Sequence, residues 1–593
     1  MMATDAEEIR AQTSPCHNPD YTLSPLSIKI TRKNQDRHWR LRCIYLQCYF
    51  LTIATILGTG ILGLPVTISH AGLVPFLISF LVGFFVQALL VYLFVELLQK
   101  CQVVQLEFLK TGVAECIVMD QVSTENQIAT EEEEEEEEAE NAEADTGLLQ
   151  SSAPALYDQA ENLQPNLHLL GCLFLSRPMS HAFNCILLFQ FISIGISYVL
   201  AGSEAYAALL DIRHVYVIPA FTWILTLAIL LAHTIIQPIT SLLTLLKGIL
   251  LIVTVAVTFA VGSEVGLQSR SDFSQMGKPF LMGTVALGGI VNVMPLLFSQ
   301  ISHNKIQILW FRRAVLGGLT TCMVLNILWC WAVLEIVPQT SLPERRMAAE
   351  TTTRPTSSSP SAPPSSTFPL LFSNISLEES EKAGEIATIP LTKIIIERYR
   401  AYSWVAELIQ VFIAISVTVS FLVMGSAMKH TIDGLVSYLW SSRLEWLSKA
   451  WERNSPNKHN NCSARSLVKL GFSLLGFGII FIVSVCDPRS FVVMLDKVVS
   501  FSLNTEVGLF VFIMLRESRE DRFQHLTVPL PVGDCVFSLT WLLPTYFLFA
   551  VTYDVLQTLA DVAHYLPYYS HDQELHIYNV TGSFTGANLS TFL

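Results

Sequence analysis

The chain has 593 residues, of which 51% are hydrophobic and only 15% are charged, and its mean hydropathy is +0.47. This composition argues against a soluble globular protein. The formal net charge is −14, but residues 100 to 165 hold 17 acidic residues against two lysines and so contribute −15. Because the remainder is nearly neutral, no nucleic-acid partner is expected. The twelve cysteines form no CxxC pair, so neither a metal site nor a disulfide framework is expected.

Long charge-free segments predict membrane-spanning helices. Between Arg42 and Glu96 lie 53 residues without Asp, Glu, Lys or Arg. As a helix they would measure about 80 Å, whereas a bilayer core is about 30 Å thick. They therefore form two spans that fold back near Pro65, Gly72 and Pro75. Further spans are expected near 180–208, 215–235, 240–262, 279–301, 314–336, 403–428, 469–486, 490–515 and 535–556, which makes eleven in total.

The distribution of basic residues predicts the orientation. Lys and Arg are concentrated in the amino-terminal tail and in alternate short loops, which places the amino terminus in the cytoplasm and, after eleven spans, the carboxyl terminus in the extracellular or lumenal space. Sequons at Asn374, Asn579 and Asn588 then fall on the outer side as glycosylation candidates, and one at Asn461 falls inside. The predicted segments are a cytoplasmic tail (1–42), spans one and two (43–98), an acidic cytoplasmic segment (99–178), spans three to seven (179–336), a Ser/Thr/Pro-rich outside loop (337–402), spans eight to eleven (403–556) and an outside tail (557–593).

The acidic segment contains eight consecutive glutamates, Glu131 to Glu138, and too few apolar residues to form a core. It is predicted to be disordered, either as a solvated spacer or as a binding segment for a cytoplasmic partner. Asp145 to Leu149 matches an acidic dileucine sorting pattern, which would suit an endosome or lysosome; the plasma membrane is the alternative location.

The first span contains glycines in its middle, at Gly58, Gly60 and Gly63, followed by Pro65. They spell GxGxxG, but no strand precedes them and no acid follows until Glu96, so a dinucleotide site is excluded. Mid-helix glycine and proline predict an interrupted helix, whose free N–H groups would suit a substrate carboxylate. Close helix packing by small residues is the alternative.

The sixth span has a similar pattern, with Gly283, Gly288 and Gly289 before Pro295. Two interrupted spans five apart are what an inverted repeat requires, with spans one to five and six to ten related by a pseudo-two-fold axis and an eleventh helix added. The predicted fold is thus an all-α integral membrane protein with a leucine-transporter-like five-plus-five repeat. Its binding site is expected at the midplane, between the two interruptions.

Short motifs along residues 43 to 556 resemble a known family. The run Gly58 to Pro65 resembles the first-helix signature of amino acid/auxin permeases, in the amino acid-polyamine-organocation superfamily. Other motifs are similar to those of tryptophan/tyrosine permeases, and they are Met294-Pro295-Leu296, Phe311 to Ala314, Val419 to Leu422 and Asp487 to Phe491.

The resemblance implies functional residues in four spans. The backbone around Gly58, Thr59 and Gly60 would bind an amino-acid carboxylate, with Asn292 on the opposite wall. Sodium-coupled relatives have an asparagine where this chain has Ala54, and adjacent hydroxyl residues in span eight where this chain has Thr418 followed by Val419, so the sodium site looks depleted. The remaining candidates are Gly288 and Gly289 for the opposite wall, Ser193, Ser197 and Tyr198 for span three, and Ser420 with Thr418 for ion coupling.

Ionisable residues within predicted spans five and ten are further candidates. Proton-coupled relatives place a lysine in span five, and Lys247 is separated from Glu264 by only 16 residues, or about 24 Å. Lys247 therefore either snorkels to the cytoplasmic edge or stands in for a sodium ion. In span ten, Asp496 and Lys497 are expected near the outer interface, whereas Glu506 lies deeper and is a candidate proton carrier or gate.

These features predict a secondary active transporter of a neutral amino acid or close analogue that works by alternating access, with proton coupling favoured over sodium. The chain has no Walker lysine, HExxH or GxSxG, so an enzyme is not expected, and neither is a cofactor. The alternative is an amino acid sensor or scaffold that keeps the fold without translocating solute, which Ala54, Val419 and the long insertions motivate.

Overall fold

The computed structural model describes residues 25–128, 165–231, 233–265, 270–340, 375–442, 464–486, 494–560 and 563. Within these ranges the chain is helical apart from turns, and they contain no strand. The chain divides into two compact units, Met1–Leu46 and Gln47–Leu593. The described part of the first unit is the beginning of the helix Pro25–Thr67. All contacts discussed below belong to the second unit.

The described ranges contain eleven helices that are long and apolar enough to cross a membrane, which confirms the predicted number and helical class. We number them as spans one to eleven in chain order. They are Trp39–Thr67, Leu73–Glu107, Arg177–Leu210, His214–Leu231, Pro238–Gly262, Gly277–Phe298, Lys305–Ile336, Arg400–Leu439, Arg465–Cys486, Lys497–Glu517 and Asp534–Ala560.

The turn between spans one and two lies where the sequence predicted it. Gly72 has φ +81°, a left-handed conformation that favours glycine, and a Cβ at this position would collide with the carbonyl oxygen of Arg270. The Asp272 N–H donates to the Ala71 carbonyl over 2.8 Å. The turn is thereby attached to the segment that precedes span six.

Several helices extend beyond the predicted spans. The helix of span two runs from Leu73 to Ile128, and Leu167–Phe174 forms a further helix, begun by an Asn166 side chain that accepts from the Leu169 N–H over 2.7 Å. The prediction that all of 99–178 is disordered is therefore wrong at both ends of that segment. Residues 129–164, which include the acidic run, lie outside the described residues.

The loop 337–402 also contains helices that the sequence did not predict. They are Leu377–Ala383, which the Ser376 side chain caps at the Glu379 N–H, and Thr388–Arg398, which packs against spans seven and eight. Glu381 in the first of them accepts from Ser69 Oγ over 2.7 Å and pairs with Lys278 Nζ at 2.5 Å. This helix is therefore bonded to the end of span one and the start of span six.

Spans three and eight occupy central positions among the helices. Span three packs against spans four, eight, nine and ten, and span eight packs against spans three, four, five, six and nine. Span two packs against spans six, seven and ten, while span seven packs against spans two and five and makes side-chain contacts with span one. The core thus consists of spans one, three, six, eight and ten, because a larger share of their residues is buried than in the other spans.

Two spans are interrupted. Span six consists of the helices Gly277–Gly288 and Ile290–Phe298 with a turn at Gly289, as the sequence predicted. Span ten contains two π-helical segments, Met494–Val499 and Glu506–Val511. Segments of π-helix insert an extra residue per turn and are frequent at functional sites.

An ion pair joins Glu96, which is buried in span two, to Arg519, two residues beyond the end of span ten. The guanidinium of Arg519 donates to both oxygens of Glu96, at 3.3 and 3.2 Å, and also to Asp534 at 2.7 Å. Glu96 further accepts from the Val532 N–H at 2.9 Å. The loop between spans ten and eleven is thereby fixed against span two.

Candidate functional site

Span one is a continuous helix, so the predicted interruption at its glycines is wrong. The helix runs from Pro25 through Pro65 to Thr67 without a break. Pro65 has no N–H for the carbonyl of Ile61, four residues earlier. The indole N–H of Trp329 in span seven donates to that carbonyl over 2.9 Å, so the missing bond is replaced from a neighbouring helix. The proline therefore does not require the helix to unwind.

The glycines of span one instead allow neighbouring side chains to approach its backbone. A Cβ on Gly58 would collide with the hydroxyl of Ser420, and one on Gly60 would lie 2.5 Å from Asn326 Oδ1. The helix packing alternative therefore describes these glycines better than a free backbone site does. With helical hydrogen bonds in place, the backbone of Gly58 to Gly60 does not offer unpaired N–H groups to a carboxylate. The side chain of Thr59 lies outside the described residues.

The interruption of span six lies next to span one. Gly289 lies close to span one, because a Cβ on Gly289 would be 3.5 Å from the methyl group of Thr55. Gly288 packs closely against Leu503 of span ten. The side chain of Asn292 is buried, and neither its oxygen nor its nitrogen has a hydrogen-bond partner among the described residues. Of the three predicted wall residues, Asn292 is the one with free polar atoms.

Lys247 lies in the interior of the protein and does not snorkel. Its side chain is 0% exposed, and its ammonium contacts three oxygens. These are the carbonyls of Ala54 at 3.4 Å and Ser416 at 3.5 Å, and the hydroxyl of Ser420 at 3.2 Å. Ser420 in turn donates to the Ala54 carbonyl over 2.9 Å. A cation from span five is thus held by oxygens of spans one and eight.

The other predicted hydroxyl groups separate into two sets. Tyr198 is buried and its hydroxyl pairs with Ser420, so it joins the surroundings of Lys247. Thr418 donates to the Ala414 carbonyl over 2.7 Å and lies 3.0 Å from the Tyr206 hydroxyl, and Lys247 does not contact it. Ser193 and Ser197 bond to carbonyls of their own helix, at 2.8 and 2.9 Å.

Two buried amides were missed by the sequence reasoning. Asn326 in span seven faces Gly60, and its Oδ1 has no hydrogen-bond partner in the described chain, although its Nδ2 donates to the Cys322 carbonyl. Gln190 in span three is buried next to Glu506. An amide in the middle of a predicted span is the signal that could have identified both, since such a group must find a polar partner in the bilayer core.

A cavity elsewhere in the described structure contains none of the predicted site residues. It lies between spans three and eight and the helix Thr388–Arg398, and its polar lining includes Glu204, Thr392 and Gln410. The predicted glycosylation sites Asn374, Asn579 and Asn588 lie outside the described residues.

The chain was also compared with known proteins. No protein-family model matches it, and no match was found among curated proteins.

Proposed function

We propose that this protein is a secondary active transporter of a neutral amino acid, related to the amino acid/auxin permeases, that works by alternating access with proton coupling. The observation that carries the proposal is the position of Lys247. In the resembled family, sodium-coupled members bind their ion between spans one and eight. Here those spans direct oxygens at an ammonium group.

The chemistry of the Lys247 contacts supports this assignment. A lysine ammonium has three N–H donors, and three oxygens surround it at 3.2 to 3.5 Å. A buried cation is costly unless it is solvated by protein groups, and two of these groups are backbone carbonyls of the kind that coordinate sodium. A fixed ammonium here therefore replaces the ion, and the depleted sodium site at Ala54 and Val419 is consistent with that replacement.

The arrangement of helices supports the inverted repeat. If each span is replaced by the one five positions along, the partners of span three become four of the five partners of span eight, the fifth being span six, and those of span two become those of span seven. The loop helices follow the same rule in part. Leu167–Phe174 packs on spans two and three and Thr388–Arg398 packs on spans seven and eight, but Leu167–Phe174 also packs on spans eight and ten. An odd shift of five spans exchanges the two sides of the membrane, as an inverted repeat requires.

The substrate is assigned to the neighbourhood of span one, which span six approaches at Gly289 and span seven approaches at Asn326. Asn292 offers an amide N–H₂ and an oxygen, and Asn326 offers an oxygen toward Gly60, all buried and without partners in the described residues. A zwitterionic amino acid would supply the missing donor and acceptor. Because span one is continuous, these side chains, and not its backbone, are proposed to bind the shared amino and carboxyl groups.

Uptake into liposomes tests the proposal. Full-length protein in proteoliposomes is given each radiolabelled L-amino acid in turn, with an imposed pH gradient or sodium gradient. We expect accumulation of at least one neutral amino acid without sodium, and we expect Lys247→Ala to abolish it because the three oxygens lose their cation. Lys305→Ala, at an exposed position at the start of span seven, is the matched control and should transport normally.

Two outcomes would contradict the proposal. Full sodium-independent uptake by a folded Lys247→Ala protein would show that the ammonium is only a packing feature. If a panel of amino acids raises the thermal stability of the protein but none accumulates, the chain is a sensor or scaffold on the same fold.

A further inference from the structure

A second buried ionisable group lies in the middle of span ten. Glu506 is 0% exposed and begins the π-helical segment Glu506–Val511. Neither oxygen of its carboxyl group forms a hydrogen bond of normal geometry within the described chain. Glu506 thus combines full burial with a position at the start of a π-helical segment.

The neighbour of Glu506 is Gln190 in span three. The amide of Gln190 is also fully buried, and neither its oxygen nor its nitrogen has another partner in the part of the chain that the structure describes. Span three packs against the Glu506 segment, with Phe183 and Phe510 in ring contact at 5.4 Å. The π-segment also touches span eleven, where a Cβ on Gly508 would meet Phe547 and Leu548.

No ion pair compensates this carboxyl group within the described residues. On its own helix the nearest charged residues are Lys497, nine positions earlier, and Arg516, ten positions later. Lys497 lies 3.7 Å from Asp554 of span eleven. The Gln190 amide lies next to Glu506, and the contacts of the same π-helical segment with spans three and eleven are made by Phe183, Phe547 and Leu548, which are apolar. An isolated carboxylate in such surroundings is very costly, and it becomes neutral by taking up a proton.

The repeat relates this position to that of Lys247. Lys247 of span five contacts spans one and eight, so the corresponding region of span ten should contact spans six and three. Asn504 donates to Thr284 of span six over 3.0 Å, and Glu506 adjoins Gln190 of span three. One half of the protein therefore carries a buried ammonium where the other carries a buried carboxyl group.

We propose that Glu506 is the proton-binding site of the transport cycle and that Gln190 is its positioning residue; this inference rests on the proposed transport function. The carboxylate takes a proton from water when the site is open to one side, and the carboxylic acid returns it to water on the other side. Gln190 suits both forms, because its N–H₂ can donate to the carboxylate and its oxygen can accept from the acid. A metal cation is a poorer occupant, since hard cations require about six oxygen ligands.

Three variants test the assignment in proteoliposomes, with accumulation and exchange measured separately. Glu506→Gln keeps the shape of the protonated acid but cannot release a proton. We expect it to exchange labelled for unlabelled neutral amino acid at a rate within about twofold of the unmodified protein. Its pH-driven accumulation should fall to the equilibrium level. Gln190→Leu should still accumulate substrate but with a shifted pH of half-maximal uptake, and Glu517→Gln, on the same span, should behave like the unmodified protein.

Infrared difference spectra of the purified protein supply a readout that does not need a substrate. A pH titration should show one buried carboxylic acid C=O band that is absent from Glu506→Gln. The proposal is overturned if the band persists in that variant, if the variant still accumulates substrate with the pH gradient, or if sodium proves to drive the uptake that Glu506→Gln abolishes. If neither the unmodified protein nor any variant exchanges an amino acid, the proposed transport function is wrong. The infrared titration still tests whether Glu506 binds and releases a proton.

Discussion

The contact between Trp329 and Ile61 shows how a single side chain can keep a proline-containing helix intact. Removing the indole N–H in Trp329→Phe would leave the Ile61 carbonyl buried and unbonded, because Pro65 cannot supply a donor. We expect a loss of about 1 to 3 kcal/mol in stability. Thermal unfolding of the purified protein in detergent measures the effect as a lower Tm.

Pro65→Ala provides the matched background for this experiment. Alanine at 65 restores an N–H four residues after Ile61, so the carbonyl no longer depends on span seven. Trp329→Phe should therefore lower the Tm less in the Pro65→Ala background than in the unmodified protein. Equal losses in the two backgrounds would mean that Trp329 stabilises the protein through packing alone.

The same contact explains why part of the candidate site could not be predicted. Glycine and proline in a sequence indicate where a helix is locally less stable. They do not indicate whether a side chain of another span replaces the missing backbone hydrogen bond. Trp329 is 268 positions from Ile61, and neither residue shows a local pattern that connects them. The position of Lys247 within or at the edge of span five was predictable, because only 16 residues separate it from Glu264, but the sequence did not decide between snorkelling and burial. The three oxygen partners of Lys247 were not predictable, since two of them are backbone carbonyls that any residue type could provide.

At the scale of the element, the short helix Leu167–Phe174 carries a buried histidine. His168 contacts Asn184 of span three at 3.0 Å and packs on the ring of Tyr438 of span eight at 5.1 Å. Burial lowers the pKa of His168 below its usual value of 6.5, with a smaller contribution from His181, while the bond to Asn184 opposes the shift. The neutral imidazole is therefore the form that fits this helix against the spans.

This shift predicts a pH dependence of stability. The unfolded chain protonates His168 near its ordinary pKa, whereas the folded protein does so only at lower pH, so the stabilising contribution is complete above about pH 6.5 and is lost as the pH falls. We expect the Tm to drop between pH 7 and pH 5. The drop should be smaller in His168→Gln, and His525→Gln, at an exposed position, serves as the control. Identical pH profiles for all three proteins would contradict the assignment.

Helices in the loops were the elements that sequence patterns missed. Leu167–Phe174 and Leu377–Ala383 are too short for a periodic apolar stripe, and they begin at capping residues, Asn166 and Ser376, inside segments whose composition suggests disorder. Their stability comes from packing on the spans, which is a tertiary effect. The long spans were predicted correctly because the bilayer alone fixes their length and apolar character.

At the scale of the whole molecule, the proposed repeat would place groups of different chemistry at related positions in the two halves. The first half places an ammonium beside spans one and eight, and the second places a carboxyl group beside span three. If the halves rock against each other during transport, each group changes its surroundings while the other half moves. A fixed cation and a titrating acid in corresponding positions would then allow proton uptake without a bound metal ion.

The number of spans sets the sidedness of every loop, and glycosylation measures it. With eleven spans and a cytoplasmic amino terminus, Asn374 and the two carboxyl-terminal sequons, Asn579 and Asn588, lie on the outer side, whereas Asn461 does not. We expect each of the changes Asn374→Gln, Asn579→Gln and Asn588→Gln to remove one glycan. Each loss appears on a gel as a shift that glycosidase treatment eliminates, and Asn461→Gln should leave the pattern unchanged.

A glycan on Asn461 would require a different number of crossings. The five-plus-five relation between the halves would then lose its basis, because a shift of five spans inverts a repeat only if every one of those spans crosses the membrane.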